Sequence, residues 1–155
     1  MTDNDEKFML RAFELARLAA SMGEVPVGAV IVKDGEIIAE GYNRREVDRN
    51  ATAHAELIAI DRACKKLCGW RLSACELYVT LEPCPMCAGA IINSRIKRVV
   101  CAAKDPRAGA FGSLVNLNFY PFNHKPVIEY GLFGEESSAM LRDFFARLRE
   151  KRSKK

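Results

Sequence analysis

No apolar run in this chain of 155 residues approaches the roughly 20 residues a membrane span needs, so no membrane partner is expected. Met1 to Lys7 is acidic and polar and lacks the apolar stretch of a secretory signal, so a cytoplasmic location is expected. No repeat or low-complexity block precedes the basic end of the chain. Glycine (10) and proline (6) are too few for a collagen-like chain. Disorder is excluded by a composition of 49% apolar and 28% charged residues, which instead suits one compact domain with a sizeable core.

Charge of one sign is also scarce. The net charge is +4, a weak pointer to a polyanionic partner. The last nine residues, Arg147 to Lys155, hold six basic residues and one acid, leaving residues 1–146 at about −1. The sequence therefore divides into a domain over 1–150 and a basic tail over 151–155.

Apolar residues recur at helical spacing from about residue 5 to 21, with Gly23 as the stop. Val27 to Val32 reads as a buried strand, Asp34-Gly35 as a hairpin turn, and Ile37 to Tyr42 as the returning strand. A polar loop over 43–53 leads to a helix over 54–67. Glu76 to Thr80 is a strand, and Pro85 suits the first turn of a helix over 86–94. Arg98 to Ala102 and, more weakly, Val127 to Tyr130 are strands, and a last helix covers 135 to about 152. Between them, 105–123 is long enough to expect function or disorder. The pattern implies a three-layer α/β/α sandwich with a mixed five-stranded sheet, the early hairpin requiring one antiparallel pair.

Six cysteines occur, and in a reducing compartment metal binding or plain burial are the open readings. Cys84-Pro85-Met86-Cys87 sets two thiols three apart on a first helical turn, where helix-end N–H groups favour thiolates. With His54 they make a soft-to-borderline set suited to zinc, and three protein ligands leave a fourth position for water. Glu56 serves the same site only if that site lies at the end of its helix, since residues two apart point to nearly opposite sides in mid-helix. Two thiolates offset the zinc charge and make bound water less acidic, so a neighbouring general base is useful. A redox C-x-x-C pair is the competing reading of the cysteines. Cys64 and Cys68 have no partner pair at metal spacing and read as buried or simply exposed, and Cys75 and Cys101 as core.

Together His54-x-Glu56 and Pro83-Cys84-x-x-Cys87 match the H-x-E…P-C-x-x-C signature of zinc deaminases. Beyond it, GEVPVGA (23–29), GYN (41–43), TAHAE (52–56), YVTLEPCPMCAGA (78–90) and DPRAGA (105–110) resemble the bacterial tRNA-specific adenosine deaminases, a branch of the cytidine-deaminase-like superfamily. The resemblance runs from about residue 5 to 150. It implies one zinc per chain on His54, Cys84 and Cys87, zinc-activated water attacking C6 of adenine, and Glu56 shuttling protons to N1 and the leaving ammonia. It implies a homodimer and, as substrate, the wobble adenosine in the anticodon stem-loop of a tRNA, an arginine tRNA being expected. Asn43 and the backbone N–H of Ala55 would meet the nucleoside, and Val25 and Leu81 would flank the base. Asp105 would face a 2′-hydroxyl, and otherwise reads as a turn residue before Pro106. Arg107, Lys104, Arg44 and Arg45 are candidate phosphate contacts, with a solvated charged face as the plainer reading of each. His124 would approach RNA or close a loop. Of Phe144 and Phe145, one belongs to the apolar face formed with Met140, Leu141 and Leu148. The helix over 88–92 and the loop near Phe111 are the candidate interface between subunits. The alternatives are a zinc deaminase of free guanine, cytosine or deoxycytidylate, and a non-catalytic zinc-stabilised RNA-binding module, against which Glu56 argues.

Overall fold

The computed structural model describes residues 1–154. Helix α1 (Asp3–Ser21) starts at a reciprocal cap: Thr2 Oγ1 accepts from the Asp5 N–H, and the Asp5 carboxylate accepts from the Thr2 N–H. Strands β1 (Gly28–Lys33) and β2 (Glu36–Tyr42) form the hairpin that the sequence requires. Its turn residues Asp34 (φ 51°) and Gly35 (φ 77°) are both left-handed, as a two-residue hairpin loop of this twist demands. The chain continues through α2 (Ala55–Leu67), β3 (Cys75–Leu81), α3 (Pro85–Ser94), β4 (Arg98–Ala103), β5 (Val127–Tyr130) and α4 (Gly134–Ser153).

The sheet order is β2-β1-β3-β4-β5. A second antiparallel pair, β1 with β3, joins the hairpin, while β3–β4 and β4–β5 are parallel. The extra pair has a simple cause. The α2 crossover carries the chain from β2 over β1 to β3, so β1 lies antiparallel between two strands that run the same way. β3 and β4 carry an almost unbroken run of buried residues, as strands covered on both faces must.

Each face of the sheet has its own core. Leu77, Val79, Ile31 and Val99 meet Ala55, Ala59, Ala63, Ala88 and Ile91 from α2 and α3. On the other face Val30, Tyr78, Val100 and Ala102 meet Phe8, Met9, Ala12 and Phe13 of α1, with Met140 of α4 packed against them. The three-layer mixed sheet expected from the sequence is the observed fold. Gly28 lets α1 lie on β1: a Cβ there would run into the Ala12 carbonyl and the Ala16 amide.

Three details depart from the sequence reading. Of the two expectations for residues 105–123, function or disorder, the second is not met: turns, a Phe111–Asn116 bridge and a 3-10 turn at Leu117–Phe119 organise them. In α4 only Ser137 is fully buried; Phe144 is partly covered and Phe145 is exposed, so the apolar face is shallower than expected. The division at 150/151 falls inside α4, because its helical spacing continues through Ser153, and Lys155 lies outside the described residues.

At the N-terminal ends of β3 and β4 a partly buried charge cluster ties four elements, α1, β3, β4 and β5. Arg98 pairs with Asp5 (2.9 Å), Glu76 (2.7 Å) and Glu129 (2.7 Å). The Tyr78 hydroxyl donates to Asp5. The Arg98 guanidinium, hydrogen-bonded to Asp5, holds that carboxyl well below the ordinary range. A depressed carboxyl contributes stability that is complete above the unfolded pKa of about 4 and lost as pH falls through the lower folded value. Asp5→Asn should lower stability at pH 7 by about 3 kcal/mol, the scale of a broken buried pair. In calorimetric scans the gap to wild type should stay constant from pH 6 to about pH 4 and narrow as pH falls further toward the lower folded value. A gap that stays constant below about pH 4 as well would refute the ionic contribution.

Candidate active site

The site lies at the end of the sheet away from the Arg98 cluster, where β2 and β3 finish and α2 and α3 begin. His54 is the N-cap of α2, and Glu56 sits in its first turn. The helix-end condition on His54 and Glu56 is therefore met. Cys84 is the N-cap of α3, Pro85 its first residue, and Cys87 follows in the first turn. Proline suits that position because the missing N–H would have no partner there. Both helix N-termini converge, so backbone N–H groups and the positive ends of two helix dipoles face one point.

Gly41 makes this convergence possible. A Cβ at Gly41 would strike the Ala55 carbonyl and the Ala59 amide, so β2 admits the first turns of α2 only without a side chain. His54 Nδ1 lies 3.7 Å from Cys84 Sγ and 3.6 Å from Cys87 Sγ. The candidate ligand atoms of all three residues fall within 4.8 Å of one another. One imidazole and two thiols at this spacing fit a zinc ion and leave one tetrahedral position free. The Cys87 thiol, donating to Cys84, and the His54 ring beside it draw the Cys84 thiol down to about 4. Cys87, as the donor and largely buried, is raised. Burial pushes the Glu56 carboxyl up to about 7.

A cavity of about 160 Å³ opens over this group. Val25, Asn43, Arg45, His54, Ala55, Glu56, Leu81, Cys84, Asp105 and Ala108 are among its lining residues. Val25, Asn43, Arg45, His54, Ala55, Glu56, Leu81, Cys84 and Asp105, all singled out from the sequence, thus meet in one hollow, while Cys87 and Arg107 stand outside its lining. Asn43 is buried, its Nδ2 donating to the Val25 carbonyl (3.3 Å) and its Oδ1 accepting from the Arg45 N–H (3.2 Å). One further hydrogen and one lone pair remain on that amide. Asp105 is a turn residue, its Oδ1 accepting from the Arg107 (3.0 Å) and Ala108 (3.3 Å) amides, and it also lines the cavity.

The basic candidates separate. Arg45 reaches the cavity wall, whereas Arg107 and Lys104 are exposed outside its lining. Arg44 is tied to Asp48 by contacts of 3.0–3.1 Å and lies against the Tyr42 ring. His124 closes a loop, with Nε2 2.6 Å from the Ile96 carbonyl. Cys75 and Cys101 are buried, Cys64 is partly covered and Cys68 is exposed.

Two residues escaped the sequence reading. Glu24 is 1% exposed and accepts from the Glu46 (3.0 Å) and Val47 (2.9 Å) amides. Glu82 is 2% exposed and accepts from the Asp105 (3.0 Å), Phe111 (3.1 Å) and Ser113 (3.2 Å) amides and from the Ser113 hydroxyl. The available signal was an acid set directly between an apolar strand and Pro83 at the metal motif.

Paired helix N-termini bearing His, two Cys and a buried glutamate, on a mixed five-stranded sheet, define a deaminase of the cytidine-deaminase-like class. The family model for MafB19-like deaminases matches residues 3–149. The chain is 50% identical over 149 residues to the tRNA-specific adenosine deaminase of Bacillus subtilis (strain 168), covering 96% of this chain and 92% of that protein. Among solved structures it is similar to one from studies of A-to-I editing by tRNA:A34 deaminases at the wobble position of transfer RNA. That likeness has a TM-score of 0.85 at 45% identity and covers 87% of this chain and 99% of the other. A guanine deaminase from Nitrosomonas europaea matches with a TM-score of 0.74 at 30% identity, covering 91% of this chain and 84% of that one. The chain belongs to the MafB19-like deaminase family, in the branch of the tRNA-specific adenosine deaminases.

Gly41→Ala should drive the first turns of α2 off β2. We expect a stability loss of about 2 kcal/mol, the usual cost of an overpacked contact. Zinc affinity should fall with it, because His54 moves with that turn. Normal thermal unfolding together with normal zinc titration in this variant would show that the close approach is not required.

Proposed function

We propose that this chain hydrolyses adenosine to inosine at the wobble position of a tRNA anticodon, with an arginine tRNA as the expected target. The observation that carries the reading is the joint presence of His54, Cys84 and Glu56 on the wall of one cavity, with Cys87 grouped behind them at metal-ligand distance from His54 and Cys84, in a chain half identical to an enzyme named for that activity. A cytoplasmic setting fits a chain in which no described helix is long and apolar enough to cross a membrane.

One zinc ion per chain, held by His54, Cys84 and Cys87, would supply the Lewis acidity that makes water a nucleophile near neutral pH. The residues of the chain do the rest. The Glu56 carboxylate takes a proton from the attacking water and delivers it to N1 of the purine; it then takes the proton of the hydroxyl added at C6 and passes it to the departing amine, so that the C6–N bond breaks, ammonia leaves and the carbonyl of inosine remains. Asn43 holds the nucleoside by its free amide positions, and the first N–H of α2, at Ala55, meets the reacting base. Val25 and Leu81 enclose the ring and exclude water. Asp105 turns its unspent carboxylate oxygen toward a ribose hydroxyl, and Arg45 and Arg107 meet phosphate. A target in a single-stranded loop suits the cavity, since an unpaired base enters without opening a duplex.

A homodimer is part of the reading, with one revision to its interface. Ala88, Ile91, Ile92 and Phe111 are buried within the chain itself. The apolar surface nearby belongs to Met86, Leu114 (58% exposed), Val115 and Phe119 (84% exposed). A second reading, deamination of a free purine base, is favoured by the likeness to a guanine deaminase.

Mass spectrometry separates the two. Incubation with an anticodon stem-loop carrying the wobble adenosine should raise the RNA mass by about 1 Da and leave free nucleobases and nucleosides unchanged; the reverse outcome overturns the RNA reading. Glu56→Ala should keep zinc and fold but lose roughly 10²–10⁴-fold in turnover. Cys84→Ala should abolish tightly held zinc on metal analysis. Removing Lys151 to Lys155 should flatten the slope of log affinity against log salt, and an unchanged slope would leave those charges as solubilising.

A further inference from the structure

Carboxylates are almost never fully buried unless something answers their charge. Glu24 and Glu82 are, and among the described residues neither has a lysine or arginine partner. Their charge is answered by loop backbone. The two Glu24 oxygens each take one amide from the segment after β2, at Glu46 and Val47. Glu82 Oε1 takes the Asp105 amide and the Ser113 hydroxyl, and Oε2 takes the Phe111 and Ser113 amides. At Gly109 the loop comes down on this carboxylate so closely that a Cβ would collide with it.

The placement of the pair is the informative part. Glu24 directly precedes Val25, and Glu82, itself part of the cavity lining, directly follows Leu81; Val25 and Leu81 are both apolar residues of the cavity wall. The loop held by Glu24 presents Arg45 to the cavity, and the loop held by Glu82 presents Asp105 and Ala108. Each glutamate thus joins a wall residue to the rim segment beside it. If either loop swung out, a buried anion would lose every donor it has, and that cost opposes loop opening.

We propose that Glu24 and Glu82 are positioning residues that hold both rim loops in their binding geometry before substrate arrives, so that the RNA adapts to the cavity rather than the cavity to the RNA. The kinetic part of this assignment rests on the RNA-deaminase reading above; the tethering does not.

Glu24→Gln and Glu82→Gln keep the side-chain size but put an amide donor where loop N–H groups also donate. Hydrogen exchange should accelerate about 10- to 100-fold, the weight of one or two charge-assisted hydrogen bonds. The acceleration should be confined to 46–47 in the first variant and to 105–113 in the second. Zinc content should stay that of wild type. KM for the stem-loop should rise by a similar factor with kcat little changed, the mark of lost binding rather than lost chemistry. Ser113→Ala, which removes only the hydroxyl, should show a smaller effect in the same direction and serves if Glu82→Gln folds poorly. Asp5→Asn, destabilised at the opposite end of the sheet, should leave loop exchange and KM as in wild type. Unchanged loop exchange in both glutamine variants, or a matching rise of KM in Asp5→Asn, overturns the proposal. A wild-type protein that leaves the stem-loop unaltered refutes the substrate reading instead, while the exchange measurement still decides the tethering.

Discussion

α2 lies on β2 at a distance that leaves no space for a side chain at Gly41, and the site is built from that contact. The Ala55 carbonyl rests where a Cβ would stand, which fixes the height of the first turn of α2 above the sheet. That turn carries His54 on its cap and Glu56 two residues on. α3 meets it from the end of β3, stopped and started by Pro83, Cys84 and Pro85. Two helix beginnings aimed at one point bring unpaired N–H groups and positive dipole ends together. Thiolates, a carboxylate and an electron-rich base are the groups such a point favours, and the residues found there are of those kinds.

Much of this could be read from residue order. The metal group was legible because cysteine, histidine and a helix-starting proline at fixed spacing have few other uses. The layered fold was legible because strand and helix periodicities alternate along the chain. The second antiparallel pair was not, since nothing in β1 or β3 states which neighbour each will take; the path of the α2 crossover decides it. The roles of Glu24 and Glu82 were hidden for a related reason. Their partners are backbone amides 22 to 31 positions away, and an amide leaves no trace in a sequence. Arg44 and Arg45 look alike in order, and only the nearby Asp48 and Tyr42, which occupy Arg44, separate them.

Buried acids appear in two settings here, and the difference follows from what surrounds them. Asp5 is answered by a guanidinium and by Tyr78, and it braces a helix against strands. Glu24 and Glu82 are answered by amides and a hydroxyl, and they brace loops. An arginine on a rim would present a competing cation to an anionic substrate, or would be drawn away by it. Backbone donors compensate a carboxylate without adding a charge at the mouth of the cavity. The formal charge of the body, close to neutral, is consistent with holding the rim this way.

The Arg98 cluster and the His54 group occupy opposite ends of β3. Four residues of β3, Leu77 to Thr80, lie between Glu76 in the knot that ties α1, β3, β4 and β5 and Leu81 on the wall of the hollow where chemistry occurs. Rigid strand transmits position well, but it also insulates: a change of side chain on the rim does not reach the ion pairs, and a change in the knot does not reshape the hollow. Such a chain can trade one set of rim loops for another, and one base for another, while its scaffold stays as it was. A single sheet with a fixed end and a variable end is a plain physical reason why enzymes acting on a tRNA and on free guanine share it.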